Sequence, residues 1–373
     1  MPIRTVVREW GRIGCIGFGG PSAHIALLRE LCVERRGWLS ARVFEDAIAV
    51  CNLLPGPAST QLSILSAWMV RGPAGAIAGG LAFVVPGLVA MLALAALFLA
   101  SSPPDVVRGA GAGAGAAIAA VALQAGLALM LPAFRRDEGA PRARRTAYVL
   151  AGGVAAAAVG PWLVLVLLAA GALELALRRS RADAGVHAWP LLAAVPVAGG
   201  LAWTAFKVGA LSYGGGFVIV PLMQADAVDH HHWMTAPQFL NAVALGQVTP
   251  GPVVHTVAAV GYAAAGVGGA LLAAAVAFAP SFAFVLLGAR HFGAVRRSPA
   301  ARAFLDGAGP AAIGAILGST IPLAAALSEA WQAAVLAGAA VLLLALRRGV
   351  VLTLLVAGGA GAIVALAGGP LPG

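Results

Sequence analysis

The sequence predicts an all-α polytopic membrane protein, built as an inverted-topology internal repeat with broken helical hairpins. Three observations predict it. The 373 residues are 61% hydrophobic and 10% charged, with a mean hydropathy of +0.92, whereas a soluble domain is about a quarter charged. Apolar runs such as residues 74–100 and 310–327 are long enough to cross a bilayer. And one passage is written twice: residues 14–57 align without a gap on residues 209–252, 195 positions further on. Identical pairs include Gly14/Gly209, Gly19/Gly214, Gly20/Gly215, Leu27/Leu222, Trp38/Trp233, Phe44/Phe239 and the triplet Pro55-Gly56-Pro57 with Pro250-Gly251-Pro252. Of the 44 pairs 13 are identical, where this composition alone would give roughly a tenth. A duplicated apolar segment broken by Gly and Pro is the sequence pointer to a secondary transporter's binding site.

Charge orients the copies. Basic residues cluster at 4–12, 29–42, 135–145, 178–181, 290–302 and 347–348, and all six clusters are assigned to the cytoplasmic side. Residues 29–42 carry four Arg, whereas the equivalent loop near 225–237 carries none and offers Asp226, Asp229 and three His. Further on the bias reverses: residues 101–105 hold no basic residue, and the counterpart at 290–302 holds four. Equivalent loops are therefore expected on opposite faces. The net charge of +10 is explained by these short clusters and implies no nucleic acid. The basic N-terminus is not expected to be a cleavable signal, because its first apolar run is cut by Gly17-Phe18-Gly19-Gly20-Pro21. Cys15, Cys32 and Cys51 form no CxxC pair and read as small packing residues.

The elements follow in order. With residues 29–42 and Arg71 both cytoplasmic, residues 43–70 must enter the membrane and return. The turn falls at Pro55-Gly56-Pro57, since Pro lacks the N–H that helix requires and Gly frees the bend. Residues 239–265 form the matching hairpin, and residues 17–21 and 213–217 mark two further interruptions. Residues 74–100 and 106–131 cross. Residues 147–177 divide at Gly160-Pro161 into two short helices, and an extra crossing at 189–206 inverts the second half. Residues 269–288, 304–327, 331–346 and 350–367 complete nine crossings. The domains are thus a first repeat (1–180), a linking transmembrane helix (181–206) and a second, inverted repeat (207–373).

Helix restarting after a break presents unpaired N–H groups and the positive end of its dipole, a site for an anion without a fixed charge. After the triplets come Ser59, Thr60, Gln61 and Ser63 in one half and His255 and Thr256 in the other; before them stand Asn52 and Gln247 at equivalent positions. Gly19, Gly20, Gly214 and Gly215 allow backbone to approach a ligand. The alternative for each Gly and Pro is close packing between membrane helices. No paired nucleophile and base, phosphate-binding loop or Cys/His metal spacing occurs, so no enzyme, metal or cofactor is expected.

Phe18-Gly19-Gly20-Pro21, Leu54-Pro55-Gly56-Pro57-Ala58 and Gln61-Leu62, with Tyr213-Gly214-Gly215-Gly216 and Val248-Thr249-Pro250-Gly251-Pro252, resemble the paired motifs of the chromate ion transporter family over nearly the whole chain. The resemblance implies a two-domain, long-type member in the bacterial inner membrane that exports chromate. Sulfate is then the structural analogue and protons the coupling ion; short-type members supply the halves as separate chains. A sulfate or other tetrahedral oxyanion carrier, and an anion channel, are the alternatives. The chain departs from the pattern at Gly216, which stands where the first half has Pro21, and in a His-rich loop at 226–232. Metal capture is the minor reading of that loop, which is expected to be periplasmic and solvated.

Candidate substrate contacts are Gly19, Gly20, Asn52, Pro55, Gly56, Pro57, Ser59, Thr60, Gln61, Gly214, Gly215, Gln247, Pro250, Gly251, Pro252, His255 and Thr256. Arg12 and Lys207, at equivalent positions, either draw a dianion inward or snorkel to the interface. His24 and His255 are assigned to the hairpins as hydrogen-bonding or proton-exchanging groups. Glu45 and Asp46 open the first hairpin, as helix caps or as coupling acids. Arg108 and Asp306 sit at helix ends, and Glu174 is explained by an i,i+4 pair with Arg178. The Ala/Gly helix faces would also permit a homodimer.

Overall fold

In lipid the backbone must satisfy its own N–H and C=O groups, and among the described residues no strand occurs. The computed structural model describes residues 1–52, 54, 56–100, 102–135, 140–158, 163–179, 199–212, 219–289 and 298–372. The chain begins with α1 (Ile3–Ile16) and α2 (Pro21–Arg29), which runs on as a π-helix (Glu30–Arg35). Then come α3 (Ala41–Cys51), α4 (Ala58–Phe98), α5 (Asp105–Ala116), α6 (Ile118–Arg135), α7 (Arg142–Ala158) and α8 (Leu163–Arg179). The second half repeats the order: α9 (Gly200–Leu211), α10 (Ile219–Gln224) with its π-helical continuation (Ala225–His230), α11 (Ala236–Val248), and a 3-10 turn (Val253–His255). It ends with α12 (Thr256–Gly288), α13 (Pro299–Ala325), α14 (Ala330–Ala340) continued as a π-helix (Val341–Ala345), and α15 (Val350–Leu366). Among the described residues four stretches are long and apolar enough to cross a membrane: Ala58–Phe98, Asp105–Arg135, Val253–Gly288 and Pro299–Ala325.

The duplication extends to the backbone itself. The two π-helices lie 195 residues apart. Gly37 (φ 59°) is matched by His232 (φ 53°), and the caps Ser40 and Thr235 both close on the backbone three residues later, at 3.3 and 3.4 Å. Helix stops before each Pro-Gly-Pro and resumes after it. Both resumed helices then kink, at Arg71-Gly72 (φ 66°, ψ −158° at Gly72) and Ala265-Gly266 (φ 60°, ψ −151° at Gly266). The kinks fall where the expected hairpins end, at 70 and 265. The expected division of 147–177 appears as α7 and α8. Residues 106–131 form one apolar stretch with a step at Ala117 between α5 and α6. The interruption at 213–217 and most of the crossing at 189–206 lie outside the described residues.

Packing is reciprocal. α1 lies on α4 and α9 on α12; Gly14 meets the Phe83 carbonyl and Gly209 the Ala277 carbonyl, with no room for a Cβ at either. α4 and α12 pack on each other at the centre, while the outer helices are exchanged between the halves. α13 packs on α7 and α8, and α5 packs on α15. Gly152, Gly314 and Gly318 bring α7 and α13 into backbone contact, and Gly109, Gly113 and Gly361 do the same for α5 and α15. These are the small-residue faces that let membrane helices associate by close packing.

Each half also ties its first helix to its π-helix by an ion pair, with the signs exchanged. Glu9 accepts from Arg35 (2.6 Å) and Arg36 (2.5 Å). Lys207 pairs with Asp226 (2.5 Å), which also accepts from the Thr204 hydroxyl (2.8 Å). Two expectations are corrected here. Asp226 is buried in helix and is not part of a solvated loop, and Lys207 is held by it, so it is no free cation near a helix end. His231, in the following turn, stacks on Trp233 (4.4 Å) much as Arg36 lies over Trp38 (5.6 Å) in the first half.

Candidate functional site

The two proline triplets are where the halves meet. α3 ends at Cys51, and α4 starts at Ala58 behind Pro57, which offers no side-chain cap. The N–H groups of Ala58, Ser59 and Thr60 therefore head α4 without an intrahelical acceptor. Gly56, at φ 114°, is buried; a methyl group there would meet Gln61 Nε2, the Gly209 carbonyl of α9 and Ser281 Oγ of α12. Gly251, at φ 89°, is seated conversely. Its N–H donates to the Gly17 carbonyl (2.9 Å), and its Cα faces His255 and the Phe83 carbonyl of α4. Each loop thus rests on the post-kink helix of the opposite half. Glycine is required at both, for the positive φ and for the close approach.

A hydrogen-bonded chain links the loops. Gly17 O accepts from Gly251 N–H and from His24 Nε2 (2.9 Å), and His24 Nδ1 contacts Ser59 Oγ at 3.2 Å. A carbonyl only accepts, so Nε2 carries the ring hydrogen, and in the neutral ring Nδ1 accepts from the Ser59 hydroxyl. His24 lies on α2, not in a hairpin as expected, edge-on to Phe83 at 5.1 Å; His255 lies edge-on to Phe278 at 5.2 Å. His255 is fully buried beside Gly251 and Gly87. The Val84 and Pro252 backbone lies close to its ring without closing a hydrogen bond of ordinary geometry.

The structure gathers Gly56, Pro57, Ser59, Thr60, Gln61, Gln247, Gly251, Pro252, His255 and Thr256 as buried residues around the two breaks, with Pro250 half-buried. Thr60 Oγ1, Ser63 Oγ, Gln247 Nε2 and Ser281 Oγ are buried without a hydrogen-bond partner among the described residues. Such groups cost free energy unless something else bonds them. Gly19 and Gly20 (φ 98° and 75°) precede α2 and are not buried. Asn52 is exposed at the end of α3, unlike its equivalent Gln247. Pro55, Gly214 and Gly215 lie outside the described residues. Arg12 is exposed in a shallow cavity with Glu9, Glu30 and Arg35. Glu45 pairs with Arg29 (3.4 Å), Asp46 is half-buried on α3, and the cap of that helix is Ser40. Arg108 pairs with Asp105 (3.3 Å). The sequence does not single out Ser281, and marks Gly17 only as part of the interruption at 17–21. The available signal for Ser281 was Pro280-Ser281 set against Pro86-Gly87, 194 residues earlier, just as Gly266 stands 194 after Gly72.

The model of the chromate transporter family matches residues 4–175 and 199–364. The chain belongs to that family. It is 33% identical over 343 residues to a chromate transport protein of Cupriavidus metallidurans, covering 86% of this chain and 82% of that protein. A chromate transport protein of Pseudomonas aeruginosa is 31% identical over 345 residues (85% and 80%). A probable chromate transport protein of Synechococcus elongatus is 29% identical over 339 residues (86% and 84%). No solved structure matches the chain. Family membership accounts for a multi-pass helical membrane protein whose proline triplets and glycine runs occur in both halves.

Proposed function

We propose that this protein is a secondary active transporter that exports chromate across the bacterial inner membrane by alternating access, with protons as the coupling ion and sulfate as a structural analogue. One observation carries the reading: two helix breaks, equivalent in sequence, each seat on the opposite half, with neutral buried donors beside them that bond no described residue. Neutral donors at a helix start suit a tetrahedral dianion, which must be held and also released. Because the loops are seated reciprocally, a shift of the central helices changes the surroundings of both at once. The exchange of the outer helices implies that the moving parts are bundles such as α7–α8–α13, which mix residues of the two repeats. His24 supplies a coupling route. Proton uptake at Nδ1 turns it from acceptor to donor and releases the Ser59 hydroxyl hydrogen toward an anion.

The test is uptake of labelled chromate and sulfate into proteoliposomes with and without an imposed pH gradient. Saturable chromate uptake that accelerates with the gradient is expected; flux that neither saturates nor responds to the gradient would make the protein a channel. The proposed inversion has its own test. Cysteines placed at Pro103 and Ser298, in a background lacking the exposed Cys15, should react with an impermeant maleimide from opposite faces of the membrane. Labelling of both from one face would remove the inversion.

A further inference from the structure

We infer that the anion is held on the first-half loop, and that Ser281, contributed by the second half, completes the site. The inference rests on the anion-transport reading and makes it asymmetric. In the second-half loop the glycine amide and both threonine hydroxyls are engaged. Gly251 N–H bonds Gly17 O (2.9 Å), the Thr256 hydroxyl bonds Val253 O (2.8 Å), and the Thr249 hydroxyl bonds Gly246 O (3.4 Å). The Pro250 carbonyl lies against Gly87, leaving no space for a side chain at that point of α4. The polar groups left over near that loop are the Gln247 amide and the His255 ring, whose Nδ1 edge is turned to Gly87.

The first-half loop is the opposite case. Gly56 N–H donates to no described residue, where its equivalent Gly251 N–H is bonded; Pro57 and Pro252 alike give the helix that follows no side-chain cap. Thr60 Oγ1 has no partner among the described residues. At the place where α4 has Pro86-Gly87, α12 has Pro280-Ser281, so a hydroxyl stands where the other half has only hydrogen. Ser281 is 0% exposed, and its Oγ has no partner among the described residues. It is directed to the Gly56 face of the loop: a Cβ on Gly56 would lie 3.5 Å from Ser281 Oγ and 2.6 Å from Gln61 Nε2. An amide, a hydroxyl and an uncapped helix start therefore adjoin one glycine. Alanine would fill the same space as Ser281 without burying an unbonded hydroxyl. A tetrahedral oxyanion accepting from that hydroxyl accounts for the serine.

The experiment compares wild type, Ser281→Ala and Ser281→Gly, the second copying Gly87, with full-length protein in proteoliposomes and in detergent. The probes are chromate and sulfate. The expected result is a rise of about tenfold in KM for chromate, the effect of losing one hydrogen bond to a charged group. The anion-free Tm should be unchanged or higher, and the Tm increase produced by chromate should shrink. A merely structural serine would instead lower the anion-free Tm and leave KM alone, and that result overturns the inference. So does a wild-type KM with a full chromate-induced Tm shift in both variants; transport by wild type would then still stand. If wild type shows no saturable uptake of either anion, the transport reading itself fails, and the inference fails with it.

Discussion

Replacing Gly56 by leucine is expected to abolish saturable chromate uptake while the protein still reaches the membrane. Two costs coincide at this residue. At φ 114° an L-residue is strained, by on the order of 1–3 kcal/mol. A Cβ would also stand 2.6 Å from Gln61 Nε2 and 3.1 Å from the Gly209 carbonyl, backbone that cannot give way as a flexible side chain can. Gly251→Leu should have the same outcome, but the alanine variants should separate. A Cβ on Gly251 meets nothing nearer than the His255 ring edge at 3.1 Å, so Gly251→Ala should retain more activity than Gly56→Ala. Initial rates in proteoliposomes, normalised to the protein inserted, decide the matter. A wild-type rate in Gly56→Leu would remove the loop from the transport path.

What could be foreseen here was what local chemistry dictates. Pro55-Gly56-Pro57 and Pro250-Gly251-Pro252 break helix whatever surrounds them, because Pro has no N–H to donate and its ring crowds the preceding turn. The interruption ahead of Pro21 and the division of 147–177 follow from the same rule. The places of the two kinks were legible too, because Arg71 sets a charged limit to the first apolar run and the repeat transfers that limit to the second. The exchange of outer helices was not legible. An apolar span shows no polar face in its sequence, so nothing in residues 299–325 announces that α13 packs mainly on α7 and α8 and only marginally on its own repeat.

Contacts between distant residues were equally hidden. Arg12 and Lys207 are equivalent in sequence and similar in charge, yet only Lys207 has a buried acid opposite it, because Leu31 stands where the second half has Asp226. The first half places its acid one turn earlier on α1, at Glu9, and its bases on the π-helix side. Equivalent positions in the two halves therefore carry different partners. His24 was assigned to a hairpin because its role as a bonding group was read from residue type. Its contact with Ser59 spans 35 residues and exists only because α2 folds back on the start of α4. Ser281 is hard to see for a related reason: one serine in an apolar run stands out only when Pro280-Ser281 is aligned on Pro86-Gly87 and the loop of the opposite half is set beside it.

Glu174→Ala should be the most destabilising single charge deletion in the described part of the molecule. Its carboxylate is 0% exposed on α8, where it accepts from Tyr148 (3.0 Å) and Arg178 (2.9 Å) and faces Arg144 (3.4 Å). Arg178 in turn reaches Asp306 of α13 at 2.6 Å, so the cluster joins three helices drawn from both halves. The i,i+4 pair foreseen for Glu174 is thus one edge of a larger network. Removing one partner of a buried pair costs about 3–5 kcal/mol, because the other charge is left unmatched. Here Arg144 and Arg178 are about a third exposed (32% and 33%), so water screens part of the loss, and about 2–3 kcal/mol is the better figure. That corresponds to a fall of several degrees in Tm for the purified protein. Asp306→Asn should cost less, since Arg178 keeps Glu174. Because the same contacts bind α8 to α13, both variants should also loosen the α7–α8–α13 bundle, seen as faster amide exchange there than at the α4–α12 centre. An unchanged Tm in Glu174→Ala would mean that Asp306 holds Arg178 and solvent satisfies Arg144 without it, and the bundle would then owe its cohesion to the close packing of α7 and α8 on α13.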